Sequence, residues 1–485
     1  MLMKYIIQSF VLTMGLLIAS CSSLLDIEPR QSIDSSVALT TREGINAAVT
    51  SVYTYLKAQV TYGRDLIAIA EALADETQII NRAGGRYVSE GQNVINNHFL
   101  GWPTYYTAIN EINLILEALP TSPFSEAERA SIEGEIKFLR ALNYFNLARV
   151  FAFDPKVAIA SLNKGGVPIM TTGIKTPEQV QYPTRASVAD VYSLIYQDLT
   201  TAVAKAPATG GPNRATKAAA LALFARVALY NEDFPNAIKY ATEALAAGVG
   251  RFVGNTDYVA AWRSNTHPES IFEVLFQTRQ ESLGVNNSIQ TAYTTIESVA
   301  QANSLAALRP TPLPPANGYG GIVPTTAFLN LHQTGDVRRQ LYQLGLNRSN
   351  STVIECTKFL GKSGVIYMDN VPVIRISELY LIRAEAQARS NGDLAQALAD
   401  VNMIRTRAGL TAATGLTNAQ LQAEIVLQRR LELAFEGHRW FDLKRRGQDV
   451  IKATGNVTYG DTRILAPIPN SEILANKNLA QNSGY

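Results

Sequence analysis

The sequence contains few of the residues from which catalytic and metal sites are usually built. Only 2 cysteines and 4 histidines occur among 485 residues. The histidines, His98, His267, His332 and His438, lie far apart in the sequence, and none stands in an H-E-x-x-H or comparable metal-ligand spacing. The G-x-S-x-G motif of a serine nucleophile is also absent. We therefore expect no metal and no cofactor, and no catalytic residue of these types.

Two weaker signals do not support an enzyme. Gly361 to Ser363 resembles the end of a phosphate-binding loop, but Cys356 stands where that loop requires its first glycine. Asp75 and Glu76 are adjacent acids beside a predicted loop, yet neighbouring side chains on a helix point in different directions. A pair of carboxylates that hydrolyses glycosides remains an open alternative, because any two of the 41 acids could meet in space.

An excess of charge of either sign is also lacking. The chain has 43 Lys and Arg against 41 Asp and Glu, spread along its length, for a net charge of +2. A nucleic-acid-binding surface needs a basic stripe that neutralises phosphates, so that class is excluded. Tyrosine, by contrast, is plentiful at 21 residues. Its amphipathic ring suits a carbohydrate- or peptide-binding surface, and it suits the core and its borders equally well.

An apolar run from Phe10 to Ile18 stands near the N-terminus and is too short to span a membrane, and no stretch of 18 or more apolar residues occurs elsewhere. A basic start and a short apolar core predict a signal peptide over residues 1–20. The cysteine that follows, Cys21, resembles the lipidated cysteine of bacterial lipoproteins. We expect a lipidated N-terminus and polar tether over 21–41, and a protein held at a membrane rather than spanning it. Cys356 then has no disulfide partner and is predicted to be a small buried hydrophobe.

Helical periodicity dominates the rest of the chain. Apolar residues at steps of three and four run from Arg42 to Val60, and Ser125 with Glu128 forms a capping box before a long helical pattern. Further helices are predicted over 68–74, 105–119, 126–151 and 187–204. Residues 78–101 lose this period and are predicted to form a long surface loop.

Two segments share one layout. Residues 216–247 and 379–407 each read as two helices joined by a tight turn, with an aspartate in the turn and small residues where the helices meet. This layout resembles the tetratricopeptide repeat, whose units must stack to bury their apolar faces. We predict an all-α fold with a tetratricopeptide-like helical body over 42–485. A loop-rich insertion over about 249–369 is expected to contain a short strand at 272–276.

A charged and aromatic stretch near the C-terminus is denser than any other. Leu427, Leu431, Ala434 and Phe435 follow a buried helical face. The opposite side carries charges at steps of three or four along one predicted helical run: Arg429, Glu432, Glu436, Arg439, Asp442 and Arg446. Two interpretations are open, an active-site cluster or a structural ladder that docks the last helices. The ladder is favoured, because every acid has a base one turn away.

This stretch, Arg429 to Leu443, resembles the C-terminal signature of the SusD/RagB family. Supporting segments occur in the expected order, at Ile376 to Ala386, Leu465 to Pro469 and Gln481 to Tyr485, and Leu25 to Pro29 follows the lipidation signal. The resemblance implies a non-catalytic, lipid-anchored protein on the outer membrane, facing the exterior, with a tetratricopeptide-like body. It also implies a partner, a SusC-like TonB-dependent outer-membrane transporter, over which the protein closes as a lid. The implied cargo is an oligosaccharide or, in some members, a peptide; a glycosidase is less favoured.

Glycan-binding members of that family use aromatic rings flanked by Asp, Arg and Asn, which suits the apolar faces and hydroxyls of sugars. The matching candidates here come from the 78–102 region, from Asp75 just before it, and from the insertion. They are Asp75, Arg86, Tyr87, Trp102, Tyr293 and Tyr319. Two of these have a competing interpretation. Trp102 starts a predicted helix before Pro103 and suits the core equally well, whereas Tyr319, set between glycines, is as readily exposed as packed.

Overall fold

The protein is described by a computed structural model that covers residues 39–82, 84–307, 317–346 and 353–485. Cys21, the signal peptide and most of the predicted tether lie outside these residues. The first half contains α1 (Arg42–Lys57), α2 (Asp65–Leu73), β1 (Thr77–Ile79), α3 (Val88–Gly91), α4 (Trp102–Ala118), α5 (Glu126–Phe151), α6 (Val188–Lys205), α7 (Lys217–Tyr230) and α8 (Phe234–Ala246).

The second half begins with the insertion. It contains α9 (Tyr258–Ala261), β2 (Ser270–Val274), α10 (Gly284–Asn287), α11 (Ile289–Tyr293), α12 (Val299–Ala307), β3 (Ile322–Pro324), α13 (Thr326–Leu329), β4 (Tyr342–Leu344), β5 (Ile354–Cys356), β6 (Val371–Arg375), α14 (Ile376–Arg389), α15 (Leu394–Arg407), α16 (Asn418–Glu432), α17 (Arg439–Arg445) and α18 (Asn470–Ala475). A π-helical turn, Gln59–Gly63, separates α1 from α2.

Local signals explain where the long helices begin. Ser125 accepts from the Glu128 amide and Glu128 accepts from the Ser125 amide, so the predicted capping box starts α5. Thr41 caps α1 by a single hydrogen bond, which its side chain accepts from the amide of Gly44. The apolar stripe of α1 is fully buried, as predicted. The starts of these helices are therefore determined by residues within one turn of the cap.

The two predicted repeat pairs both form, and they pack against each other. Asp233 caps α8 by accepting from the Asn236 amide, and Asp393 caps α15 by accepting from Gln396. Helix α8 then packs on α14, which joins two pairs that are far apart in sequence. The helices follow a continuous series in space, from α1 through α4, α5, α6, α7, α8 and α14 to α15 and α16. This arrangement confirms the tetratricopeptide-like body.

Among the described residues, three antiparallel two-stranded ladders involve strands of the insertion. The predicted strand forms as β2, two residues earlier than expected, and pairs with β6 so that Val274 faces Val371. Strand β4 pairs with β5 within the insertion. Strand β1, which follows α2, pairs with β3 so that Thr77 faces Pro324 and Ile79 faces Ile322. This last ladder fixes the predicted 78–101 loop against the insertion.

The C-terminal signature is not one helical run, which corrects the prediction. Helix α16 ends at Glu432 and α17 begins at Arg439. Between them Phe435 has φ 64° and Gly437 has φ 78°. A β-carbon on Gly437 would lie 2.9 Å from the Cα of Ile67 in α2, so the turn depends on the missing side chain. Close packing against α2 thus breaks a pattern that is helical by periodicity alone.

The acids of the signature pair with bases from other elements. Glu432 lies 3.2 Å from Arg375 and 2.7 Å from Arg407, at the ends of β6 and α15. Glu436 contacts Arg375 at 2.8 Å and Lys358 at 2.6 Å. All five side chains are almost completely buried. The ion pairs therefore connect the signature to β6, to α15 and to the insertion.

The bases of the signature are equally engaged. Arg439 donates two hydrogen bonds of 2.7 Å to Asp75, directly after α2. Asp442 accepts from Arg429 at 2.7 Å and from Arg445 at 2.8 Å. Only the contact between Asp442 and Arg445 follows the predicted spacing within one helix. The structural interpretation of the cluster is supported, with cross-element pairs in place of a ladder along one helix.

No helix among the described residues combines the length and the apolar character needed to cross a membrane.

Removal of Arg439 should destabilise the fold. In Arg439→Ala the carboxylate of Asp75, with 11% of its side chain exposed, loses both short hydrogen bonds and keeps the longer contact with Arg430 at 3.8 Å. We expect the free energy of unfolding in urea to fall by about 3 kcal/mol, since breaking a buried pair leaves an uncompensated charge. Arg463→Ala, which breaks a more exposed pair with Asp461, is the matched control and should cost about 1 kcal/mol or less. Unchanged unfolding with a loss of ligand binding would contradict the structural role of Arg439.

Stability should pass through a maximum in mildly acidic solution. Burial alone would raise the pKa of Glu378, Glu385 and Glu432, but neighbouring arginines outweigh it and hold each pKa at about 2. Their contribution is present above the unfolded value of about 4.5 and is lost as the pH falls towards 2. Burial raises the pKa of Glu71 to about 8 and of Glu76 to about 7. Their contribution is present below about pH 4.5 and is lost as the pH rises through 7 and 8.

Urea unfolding between pH 3 and pH 9 measures the free energy of unfolding on the acid limb, where stability rises with pH, and on the alkaline limb, where it falls. The isosteric variant Glu71→Gln should flatten the alkaline limb, because its amide oxygen can still accept from the Gly437 amide without a charge to bury. Glu243→Gln, on an exposed side chain of α8, is the control and should leave the alkaline limb unchanged. A stability that rises steadily from pH 5 to pH 9 would contradict the assignment.

Candidate functional site

The pairing of β1 with β3 brings together two loops that are distant in the chain. The Ile80 amide donates to the Gly321 carbonyl at 2.8 Å and extends this ladder by one bond. The loop before α3, with Arg86 and Tyr87, consequently lies beside the glycine-rich loop around Tyr319. Three of the six predicted ligand-binding residues therefore meet on one part of the surface.

Arg86 and Tyr319 form the centre of this cluster. The guanidinium of Arg86 lies 4.3 Å from the centroid of the Tyr319 ring, within the range of a cation–π contact. Arg86 donates to the Asn286 carbonyl at 2.7 Å, and the Tyr319 hydroxyl donates to the Asn286 side chain. Arg64 donates to the same carbonyl at 2.9 Å. Asn286, at the end of α10, thus holds both side chains in one orientation.

Tyr87 borders this pair. It has φ 62°, and the guanidinium of Arg64 lies 5.9 Å from its ring centroid. Burial raises the pKa of Tyr87 to about 12, so its hydroxyl stays protonated at neutral pH. The ring is half-buried, which leaves part of it at the surface. Tyr87 can therefore offer both an apolar edge and a hydrogen-bond donor.

Tyr367 belongs to the same cluster and was missed by the sequence analysis. Burial, together with Glu297 and the nearby Tyr319, raises its pKa to about 12. Its hydroxyl lies 3.4 Å from Glu297, which also accepts from the Asn317 side chain at 2.7 Å. Nothing in the sequence around Tyr367 marks it, since its placement results from the folding of the insertion. We call Arg86, Tyr87, Asn286, Tyr319 and Tyr367 the aromatic surface.

Trp102 and Tyr293 are not available to a ligand in this structure, which corrects their prediction as binding residues. Trp102 is 2% exposed and packs edge-to-face on Phe151 at 4.9 Å between ring centroids. Tyr293 is fully buried and packs edge-to-face on Phe435 of the signature turn at 5.0 Å. Asp75 is engaged by Arg439 as described above. These residues stabilise the helical body and the turn between α16 and α17. No sequence motif separates such structural aromatic and acidic residues from those that bind a ligand.

The described residues contain no group of three or more His, Cys, Asp and Glu side chains placed to hold a metal ion. Cys356 is buried and free, and burial raises the pKa of its thiol to about 12. A thiol with that pKa is a poor nucleophile at neutral pH. The prediction that Cys356 is a small buried hydrophobe is confirmed.

Two family models match the chain. Residues 348–485 match a model described as the SusD family, SusD_RagB, and residues 24–229 match one described as starch-binding and associating with the outer membrane. This chain belongs to the SusD/RagB family. The signature at Arg429 to Leu443 falls within the first match, so the resemblance drawn from those residues is confirmed.

Relatives of this SusD-family chain cover its whole length. SusD-like protein P38 of Formosa agariphila is 24% identical over 99% of each chain. The starch-binding protein SusD of Bacteroides thetaiotaomicron is 33% identical over 24% of this chain and 22% of its own. The crystal structure of a SusD superfamily protein from Bacteroides thetaiotaomicron matches with a TM-score of 0.78 at 24% identity, over 91% of this chain and 99% of that one. The all-α fold is confirmed by this likeness.

Proposed function

We propose that this protein binds an oligosaccharide at the aromatic surface and acts as the lid of a SusC-like TonB-dependent transporter on the outer membrane. The observation that carries the proposal is the packing of Arg86 on Tyr319, both of which donate hydrogen bonds to Asn286. Membership of the SusD/RagB family supports the lid role, and the starch-binding description of the model over residues 24–229 supports a carbohydrate cargo.

The chemistry of the aromatic surface suits capture without catalysis. Tyrosine rings can lie against the apolar C–H faces of a sugar, while Arg86 and the hydroxyl of Tyr87 can donate to its oxygens. The Tyr367 hydroxyl donates to Glu297 and can accept from a sugar hydroxyl. The guanidinium of Arg86 has no carboxylate partner among the described residues, so it retains donors for a ligand. Glu297 supplies an acceptor at the edge. Such a site holds a sugar by several weak contacts, and we propose no catalytic residue.

The N-terminus is proposed to carry the anchor. Cleavage after Ser20 and acylation of Cys21 would hold the helical body at the membrane through residues 21–41. The transported ligand would then pass from the aromatic surface into the transporter when the lid closes.

Loss of the central pair should weaken glycan binding. Calorimetric titration against a broad panel of oligosaccharides should find one class that binds, and Tyr319→Ala and Arg86→Ala should each weaken it about tenfold, ~1.4 kcal/mol. Tyr182→Ala is the matched control, because Tyr182 is 54% exposed and has no part in the aromatic surface. Affinity that survives both substitutions would exclude this surface. A panel without any binding, combined with co-purified peptides in mass spectrometry, would replace the sugar by a peptide.

The anchor and the partner can be tested together. The tagged protein, extracted in detergent from the outer membrane of its own bacterium, should co-purify with a TonB-dependent transporter. Cys21→Ala should abolish lipid attachment and recovery with the transporter, because the thiol is the site of acylation. Cys356→Ala is the control and should change neither, since that thiol is buried in the body. Transporter-free protein from the wild-type membrane would contradict the lid role.

A further inference from the structure

A cleft of about 230 Å³ lies between α1 and β2 and shares no residue with the aromatic surface. Its wall is built from α1, from the loop before α7, and from β2 with the segment that follows it. The polar side chains of this wall include Thr54, Lys57, Asn213, Arg214, Gln277 and Glu281. Pockets that enclose a whole drug-sized ligand measure about 300–1,000 Å³, so this cleft suits one sugar unit of a longer chain. We call it the α1–β2 cleft.

One short segment connects the cleft with the aromatic surface. Glu281 lies in the wall of the cleft, and the hydroxyl of the next residue, Ser282, donates to the carbonyl of Tyr367 at 3.2 Å. Asn286 of the aromatic surface follows in the same segment. Residues 281–286 span at most about 18 Å, since an extended chain rises by about 3.6 Å per residue. An oligosaccharide a few units long can therefore reach both places.

The cations of the cleft are already paired. Lys57 lies 2.6 Å from Glu281, and Arg214 lies 2.6 Å from Glu135. Glu273 also lines the cleft, but it is 2% exposed, and one oxygen of its carboxylate accepts from a backbone amide at 3.1 Å. An ionic ligand would compete with these contacts. The wall therefore favours an uncharged ligand.

Two amide side chains in the wall are free to bind a ligand. Those of Asn213, which is half-buried, and Gln277, which is exposed, form no hydrogen bond with any residue that the structure describes. A primary amide has two donors and an acceptor, which match the donors and acceptors of sugar hydroxyls. Arg214 lies beside them, 42% exposed, with its guanidinium 4.8 Å from the centroid of the Tyr53 ring. This cation–π pair resembles the one at the centre of the aromatic surface.

We propose that the α1–β2 cleft is a second sugar subsite, which binds an uncharged unit of the oligosaccharide held by the aromatic surface. The inference rests on the proposed function, because it assigns the cleft to the same cargo. The free amides of Asn213 and Gln277 hydrogen-bond the hydroxyls of this unit, and Arg214 donates to them from its exposed face. The preferred cargo is therefore a chain long enough to cover residues 277–286, with a neutral sugar in the cleft.

A length series of one oligosaccharide class tests the subsite on the full mature chain. The class is the one that the protein binds in the glycan panel, and calorimetric titration compares its disaccharide with longer members up to the octasaccharide. We expect affinity to rise with length until the ligand reaches the cleft. Asn213→Ala and Gln277→Ala should each weaken long ligands about fivefold, because each removes neutral hydrogen bonds, and should leave the disaccharide unchanged. Gln280→Ala is the matched control, since Gln280 is an exposed amide of the same segment that does not line the cleft.

The outcomes separate the subsite from the aromatic surface. Unchanged long-ligand affinity in both cleft variants, or equal weakening of short and long ligands, would overturn the subsite, while weaker binding by Tyr319→Ala would still support the aromatic surface. A panel in which no sugar binds would overturn the proposed function and the subsite with it.

The uncharged character of the bound unit can be tested by salt. The ratio of long-ligand to disaccharide affinity should be the same at low and high ionic strength, because the cations of the cleft are paired within the protein. A ratio that falls as salt is added would contradict a neutral sugar in the cleft.

Discussion

The fold depends on a set of buried ion pairs that meet at Arg375, the last residue of β6. Its guanidinium contacts Glu269 at 2.9 Å, Glu432 at 3.2 Å and Glu436 at 2.8 Å. Glu269 comes from the insertion and the other two from the C-terminal signature. Charges in such an interior are costly unless each has its partners in good geometry. The arrangement therefore tolerates only one way of bringing the insertion, the repeat body and the C-terminus together.

This constraint explains why the signature is so dense in charged and aromatic residues without forming a catalytic centre. Several of its charges bind a segment from elsewhere in the chain, as Arg439 binds Asp75 after α2 and Glu432 binds Arg375 of β6. The aromatic residues do the same by packing, since Phe435 at the turn contacts the buried ring of Tyr293. A search for paired acids and a histidine finds the cluster but cannot tell a network that holds helices from one that acts on a substrate. The burial of these charges and the ion pairs that they form with other elements decide between the two.

What could be read from the sequence was local in origin. Helix α5 begins and ends where its capping box and periodicity predict, because both signals lie within a few residues of the ends. The break between α16 and α17 was missed, since it depends on the approach of Ile67 from a helix more than 360 residues earlier. The aromatic surface was predicted in part: Arg86, Tyr87 and Tyr319 stand in recognisable loops, whereas Tyr367 is placed by tertiary packing alone. The sequence could not decide between a buried and a ligand-binding Trp102, because its burial also depends on tertiary packing.

The ladder between β1 and β3 spans only three residues on each strand. It nevertheless sets the distance between Arg86, on the helical body, and Tyr319, on the insertion. A slip of one residue would turn every side chain of β3 to the opposite face. The shape of the aromatic surface therefore depends on the register of this ladder. Substitutions and length changes in the insertion beyond this ladder can alter the outline of the surface while the body stays the same. A single scaffold of this kind can thus be adapted to ligands of different shape by editing one segment of the chain.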